Sequence, residues 1–234
     1  MDDDEGRSEF DRQGYRVVPS RFDDRELTAV EEALARLPDE PGAYRRGESD
    51  YARRNLLGHA RTRELALDQR LMALARSLVG EAARPVKATL FDKTPDANWR
   101  IPWHQDRMIA VRQRIEVLGF GPWSVKAGVP HVQPPASVLE RMVALRLHLD
   151  DCDERNGALE VLPGSHRHGF IDGPSVERWR DRPSTLCPVP RGGVFAMAPL
   201  LLHRSAPSSD PTHRRVIHIE YASVELPSAL EWWS

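Results

Sequence analysis

Trp103-His104-Gln105-Asp106 sets an imidazole and a carboxylate two residues apart. On an extended segment, side chains at i and i+2 point to the same side. A ring nitrogen of His104 and an oxygen of Asp106 can then close on one metal ion. One further histidine from elsewhere completes a two-histidine, one-carboxylate set. That set leaves coordination positions open for other reactants and suits non-haem Fe(II) oxygen chemistry. His-x-Asp alone is a common surface pattern, so the rest of the chain has to supply the remaining parts.

His203 is the best third ligand, because it follows the apolar run Leu200-Leu201-Leu202, which would bury its neighbourhood. Eleven residues later, Arg214 opens the strand-like run Arg215-Val216-Ile217-His218-Ile219. The planar fork of a buried arginine binds a carboxylate through two parallel hydrogen bonds. A dicarboxylate co-substrate could chelate the metal at one end and meet Arg214 at the other. Two other functions use similar ligands. A non-oxygenase, cupin-like metal-binding protein has no need of Arg214, and a zinc hydrolase would want a general base beside the metal.

The elements that must position these residues follow from spacing. Tyr15–Val18 reads as a strand. Asp23 and Glu26 form a capping box ahead of Leu27, Val30, Leu34 and Leu37 at helical spacing, with Pro38 as the stop. Residues 41–50 read as a loop. A second helix spans about Thr62 to Val79, with Leu67, Leu71, Leu74 and Leu78 on one stripe and Gly80 at its end. From there short strands dominate: 86–91, 103–111, 142–149, 159–162, 193–197 and 216–222, separated by turns such as Asn156-Gly157 and Pro163-Gly164. On alternate positions of their strand, Lys87, Thr89 and Phe91 could face a pocket. The pattern predicts an α+β fold with a mainly β core, a jelly roll or cupin-like roll braced by N-terminal helices. Residues 1–234 read as one domain, with a disordered acidic start over 1–8. The Gly- and Pro-rich stretch 112–141 reads as a lid or insert.

Bulk properties exclude several classes. The 234 residues carry a formal net charge of −2, with 40% hydrophobic and 29% charged residues. This is an ordinary globular composition without the basic footprint of a nucleic-acid binder. No apolar run reaches membrane-spanning length and the start lacks a signal-peptide core, so the expected compartment is the cytoplasm. Cys152 and Cys187 read as buried or idle thiols rather than a disulfide framework.

The ordered set of motifs resembles the phytanoyl-CoA dioxygenase-like branch of the Fe(II)/2-oxoglutarate oxygenases. The matching residues are Gly14-Tyr15-Arg16-Val17-Val18-Pro19, Trp103-His104-Gln105-Asp106, and Leu149-Asp150-Asp151 through Asn156-Gly157. They continue with Leu162-Pro163-Gly164-Ser165-His166-Arg167, His203-x-Ser205 and Arg214. The resemblance implies a double-stranded β-helix with Fe(II) on His104, Asp106 and His203. It implies that Arg214 and Ser205 hold the distal carboxylate of 2-oxoglutarate, and that O2 and 2-oxoglutarate are consumed with release of succinate and CO2. Related halogenases have a small residue in place of the carboxylate, so Asp106 favours hydroxylation of a C–H bond in a small-molecule substrate.

Two features differ from the family pattern. Arg146 stands where the related human enzyme class has a tryptophan, and the 112–141 stretch is longer than the usual connection. A cation at 146 facing the pocket could bind 2-oxoglutarate or an anionic substrate, the alternative being an outward face paired with surface carboxylates; Arg146, and Lys87 by strand alternation, are taken as additional cofactor-binding residues. Most remaining motifs have structural readings. Asp150 and Asp151 would hold the turn before Asn156 and His166 a turn, while His218, on the face of Arg214, would either support the site from behind or fill a core position, the latter being preferred. His213 would face solvent, Trp99 and Trp103 would pack in the core, and Trp232 and Trp233 would anchor the C-terminal segment.

Overall fold

The computed structural model describes residues 3–37, 44–46, 49–94, 98–209, 213–227 and 229–233. Its largest sheet is antiparallel. In spatial order it holds β1 (Tyr15–Val18), β12 (Val194–Met197), β9 (Met142–His148), β14 (Arg214–Ala222), β4 (Arg84–Lys93), β3 (Ser49–Arg53) and β2 (Tyr44–Arg46). A second sheet has the order β11 (Thr185–Cys187), β10 (Leu159–Val161), β13 (His203–Ser205) and β5 (Ile101–His104). A third joins β6 (Ile109–Ala110), β8 (Val129–Val132) and β7 (Trp123–Lys126). The two larger sheets form a double-stranded β-helix, and helices α1 (Asp3–Gln13), α2 (Asp24–Ala35), α3 (Ala60–Ala66) and α4 (Gln69–Val79) brace it.

Alternation along the central strands divides each into a helix-facing and a roll-facing row. Val143, Leu145 and Leu147 of β9, with Ile217, Ile219 and Tyr221 of β14, join Leu27, Leu71 and Leu78 in one apolar core. Burial of each such aliphatic side chain contributes about 1.5–3 kcal/mol. Tyr221 also satisfies its hydroxyl by donating to Ala66 O at 2.8 Å. The opposite row carries Arg146 and His148 of β9, and Arg214, His218 and Glu220 of β14.

The capping box is formed. Asp23 Oδ1 accepts from Glu26 N at 2.8 Å, and Glu26 Oε2 accepts from Asp23 N at 2.9 Å. Arg70 ties this helix start to that of α4, pairing with Glu26 and with Asp68 at 2.8 Å each.

Several boundaries differ from the sequence reading. The helix expected over 62–79 is two helices, because Asp68 caps a new one by accepting from Arg70 N at 2.9 Å. Leu67 lies between them and is 53% exposed, so it leaves the apolar stripe. The strand expected over 103–111 breaks after His104 and resumes as β6. The loop expected over 41–50 contains residues of β2 and β3, and its remainder lies outside the described residues, as does Pro38. The disordered start is corrected for residues 3–8, which lie in α1, a helix that Phe10 anchors in the core.

Stretch 112–141 contains a hairpin and the short helix α5 (Ala136–Leu139). Ala127 and Gly128 both have positive φ, 51° and 76°, and form the two-residue turn between β7 and β8. Asn55 Nδ2 donates to Ala127 O at 3.2 Å and pins that turn. The C-terminal segment is anchored beside it, with Trp232 buried and Trp233 N donating to Ala110 O. Both cysteines are free and buried. Among the described residues, no helix is long and apolar enough to cross a membrane.

Asp23→Ala removes one cap acceptor and one half of the box. It is expected to lower stability by about 1 kcal/mol, read as a lower urea midpoint with an unchanged slope.

Candidate metal centre and its cavity

Antiparallel pairing sets His203 of β13 directly opposite His104 of β5. Their ring centroids are 4.1 Å apart. Asp106 lies just past the end of β5, where its N–H donates to Pro199 O at 2.8 Å. Between the two, the Gln105 side chain bonds away from the rings, donating to Gly169 O and Leu200 O and accepting from Ile171 N. One donor atom from each of His104, Asp106 and His203 falls within 4.8 Å of the others. His104 Nε2 is 3.8 Å from Asp106 Oδ1, and His203 Nε2 is 3.9 Å from Oδ2.

The backbone selects the imidazole tautomers. His203 Nδ1 is 2.9 Å from Leu201 O, and His104 Nδ1 is 3.0 Å from Pro102 O. A carbonyl only accepts, so each Nδ1 carries the proton and each Nε2 lone pair is left for a metal. Burial, and then the neighbouring His104, pushes His203 down to about 3, so it is a neutral ligand at ordinary pH. Burial acts to raise Asp106, but the imidazoles of His203, His218 and His104 outweigh it and hold the carboxyl below its usual range. Two neutral imidazoles with one carboxylate form a donor set that fits Fe(II).

The wall facing this triple is the roll-facing row of β4, β9 and β14, and it borders a cavity of about 310 Å3. Cross-strand register pairs Glu220 with Lys87, His218 with Arg146, and Arg214 with Lys93. Lys87 Nζ donates to Glu220 Oε1 at 2.6 Å. Burial acts to raise Glu220, but Lys87 and His218 bring it down to about 2. Arg146 Nη1 is 3.0 Å from His218 Nδ1. A guanidinium only donates, so this Nδ1 accepts and the proton of the neutral ring sits on Nε2, 3.3 Å from Glu220 Oε1. His218 Nε2 is also 4.0 Å from Asp106 Oδ2, which links the network to the metal-ligand triple.

The third pair sets two cations against each other. Lys93 and Arg214 are 1% and 2% exposed, and like charges directly across a ladder are destabilising. Lys93 Nζ donates to Ser205 Oγ at 2.8 Å and to Ala206 O at 2.6 Å. Ser205 Oγ and Arg214 Nη1 both donate to Gly157 O. All the acceptors in this cradle are neutral. The buried Nε groups of Arg214 and Arg146 have no hydrogen-bond partner. Burial, reinforced by Arg214, brings Lys93 down to about 7. Desolvated cations with spare donors are what a carboxylate would complete. Gly157 has φ of +72°, and a Cβ there would sit 2.8 Å from Ala206 O, so this turn needs glycine to close on the cradle.

The seven residues singled out from the sequence divide by position. His104, Asp106 and His203 converge, while Lys87, Arg146 and Arg214 border the same cavity. Ser205 does not border it, and is connected to it through Arg214, with which it shares the Gly157 O acceptor. The sequence reading missed Lys93, Glu220 and Lys126. Lys93 is legible as the next member of the row Lys87, Thr89, Phe91, and Glu220 as the next after Arg214 and His218. Trp99 lines the cavity rather than the core, and His218, though buried, lines it too, in keeping with the supporting position rather than the preferred core one.

Asp150 does not hold the Asn156 turn. It pairs with Arg215 at 2.7 Å, while Asp153 Oδ1 accepts from Arg155 N and Asn156 N. His166 bonds Asp11 O across the turn, and exposed His213 pairs with Asp92 at 2.9 Å.

Comparison with known proteins identifies relatives in sequence and in fold. The ectoine dioxygenase of Stutzerimonas stutzeri is 24% identical over 168 residues, covering 68% of this chain and 49% of its own length. The chain spans about half the length of the curated relatives it first matches. The crystal structure of AviO1 from Streptomyces viridochromogenes Tue57 is 26% identical, with a TM-score of 0.70 over 97% of both chains. The crystal structure of EctD from S. alaskensis with 2-oxoglutarate and 5-hydroxyectoine superposes with a TM-score of 0.72 at 20% identity, covering 93% of this chain and 75% of that one. The sequence profile of phytanoyl-CoA dioxygenase matches residues 10–216, and the chain belongs to that family.

Proposed function

We propose that this protein is an Fe(II)- and 2-oxoglutarate-dependent dioxygenase that hydroxylates a C–H bond of a small molecule. The observation that carries the reading is one cavity bordered by the His104, Asp106 and His203 donors and by the buried guanidinium of Arg214. Its overall balance is substrate C–H, O2 and 2-oxoglutarate giving the alcohol, succinate and CO2. His104 Nε2, His203 Nε2 and an Asp106 oxygen would hold the iron. When bound, iron supplies the chemistry that couples O2 reduction to oxidation of the keto acid and of the substrate.

The protein contributes binding, orientation and a shielded site. Arg214 offers donors to the distal carboxylate of 2-oxoglutarate, Lys93 adds a second positive charge, and Ser205 keeps Lys93 in place. Arg146, held by His218, borders the same cavity with its Nε donor unpartnered and would offer it to the co-substrate. Lys87 is occupied by Glu220 and acts as half of a neutral pair rather than as a free anchor. The protein's compartment is taken as the cytoplasm, its partner as a small molecule, and its extent as one domain over 1–234, with 112–141 as a structured wall of the site.

Anaerobic addition of Fe(II) and 2-oxoglutarate is expected to give the weak visible metal-to-ligand charge-transfer band. His104→Ala or Asp106→Ala is expected to abolish it. A wild-type protein with neither band nor 2-oxoglutarate affinity would sink the reading.

Arg214→Ala removes charge-assisted hydrogen bonds worth about 1.5–3 kcal/mol. It is expected to weaken 2-oxoglutarate by about tenfold or more while Fe(II) affinity holds. Equal loss of both would contradict the assigned role.

Lys93 supplies a pH dependence. In the free protein its ammonium titrates near about 7. A bound carboxylate favours the charged form and raises that value. Above pH 7, 2-oxoglutarate binding therefore takes up a proton, and affinity falls as pH rises. Calorimetry at pH 8 in buffers of different ionisation enthalpy should read this uptake, and Lys93→Met should remove it.

A further inference from the structure

The β7–β8 hairpin brings Lys126 into the cavity wall, on the side bordered by Lys87 of β4 and Glu220 of β14. Along β7 the side chains alternate. Val125 is exposed, whereas Lys126 is half-buried and turned inward. The tight turn at Ala127–Gly128 and the Asn55 bond to Ala127 O fix its position. Among the described residues, no carboxylate pairs with Lys126 and no acceptor takes its ammonium protons. Lys87, the lysine on the same side of the cavity, is already matched by Glu220. Burial, then the charges of Lys87 and Arg54, disfavours the Lys126 ammonium.

Charge balance sharpens the point. Leaving Arg54 aside, the cavity is bordered by the cations Lys87, Lys126, Arg146 and Arg214 and by the carboxylates Asp106 and Glu220. An iron dication and a 2-oxoglutarate dianion cancel one another. The loaded site therefore keeps a surplus of positive charge. That surplus is two charges, and of the four cations Arg214 bonds Gly157 O, Arg146 bonds His218 and Lys87 pairs with Glu220, which leaves Lys126 as the one without a hydrogen-bonded partner. A desolvated cation facing a cavity favours a ligand that brings the opposite charge.

We infer that the primary substrate is a small molecule carrying an oxyanion, a carboxylate or a phosphate- or sulfate-type group, which docks on Lys126. This rests on the oxygenase reading and adds its substrate class. The cavity of about 310 Å3 must also hold 2-oxoglutarate, so the substrate it encloses is small. Its other walls include Phe91, Trp99, Ile101 and Met108, which offer apolar contact to the body of the molecule. The oxyanion on Lys126 would fix one end while the body lies toward His104 and Asp106. The hairpin is thus a specificity element, and Lys126 is its contact residue.

The test uses the anaerobic protein saturated with Fe(II) and 2-oxoglutarate, so that Arg214 is occupied. Calorimetric titration with sulfate and with benzoate probes the two sources of an oxyanion. The wild-type complex is expected to bind at least one of them. Lys126→Met should weaken that binding by about tenfold or more, as expected for loss of a charge-assisted contact, and Lys126→Arg should retain it. The charge-transfer band, kept in all three proteins, reports an intact site. Preference for sulfate assigns the phosphate- or sulfate-type group, and preference for benzoate assigns the carboxylate. The inference is overturned if the wild-type complex binds neither anion, or if Lys126→Met binds as wild type does. A wild-type protein lacking the band overturns the oxygenase reading instead.

Discussion

The antiparallel register that sets His203 against His104 is the constraint on which the site depends. Side chains on a strand have a period of two, so a slip of one residue would turn either imidazole to the other side of its sheet. β13 and β5 are short, and much of their fixation comes from outside the ladder. The apolar run Leu200–Leu202 is buried just before β13, Gln105 staples the chain after β5 to Leu200 O and Gly169 O, and Asp106 N is bonded to Pro199 O. The carbonyls two residues before each histidine, Leu201 O and Pro102 O, hold the rings and choose their tautomers. Packing, register and ligand chemistry are thus set by one small group of contacts.

The second wall obeys a different logic. β4, β9 and β14 spend one face on the apolar core and the other on charged and polar groups. Ordinarily such a face would be at the surface, but here it is enclosed by the roll. Its charges are therefore arranged in cross-strand pairs. Lys87 and Glu220 neutralise each other, Arg146 and His218 share a proton donor and a lone pair, and Lys93 and Arg214 share only neutral acceptors. The candidate metal donors come from one sheet and the buried cations from the other, so the two groups face each other across the cavity.

How much of this could be read from the chain depended on period and reach. The capping box of α2, the central strands and the His104, Asp106, His203 and Arg214 set were legible because each rests on local chemistry or fixed alternation. The roll-facing positions of Lys87, Thr89 and Phe91 followed from the same alternation. Lys93 was missed because the strand was expected to end at residue 91, two positions early, whereas pairing with β14 extends it. The break at Leu67 was missed because apolar spacing continues through it and only the capping role of Asp68 marks the boundary. Asp150 was misassigned because its partner, Arg215, is distant in sequence. The hairpin in 112–141 was hidden by glycines and prolines that read as loop, although Ala127-Gly128 supplied its turn.

The carbonyl of Gly157 has a consequence for exchange at the site. It receives hydrogen bonds from both Ser205 and Arg214, and it carries no charge. A carboxylate in its place would orient the same donors but would also neutralise the guanidinium and act as a built-in competitor. The peptide oxygen fixes direction and leaves the electrostatic attraction unspent. On the proposed reading, this cradle senses only the far end of its ligand, where 2-oxoglutarate and succinate are alike. It cannot by itself tell fresh co-substrate from spent product. Discrimination between them, and with it the susceptibility to inhibition by accumulated succinate, falls to the metal end, where only the keto acid offers a second chelating oxygen.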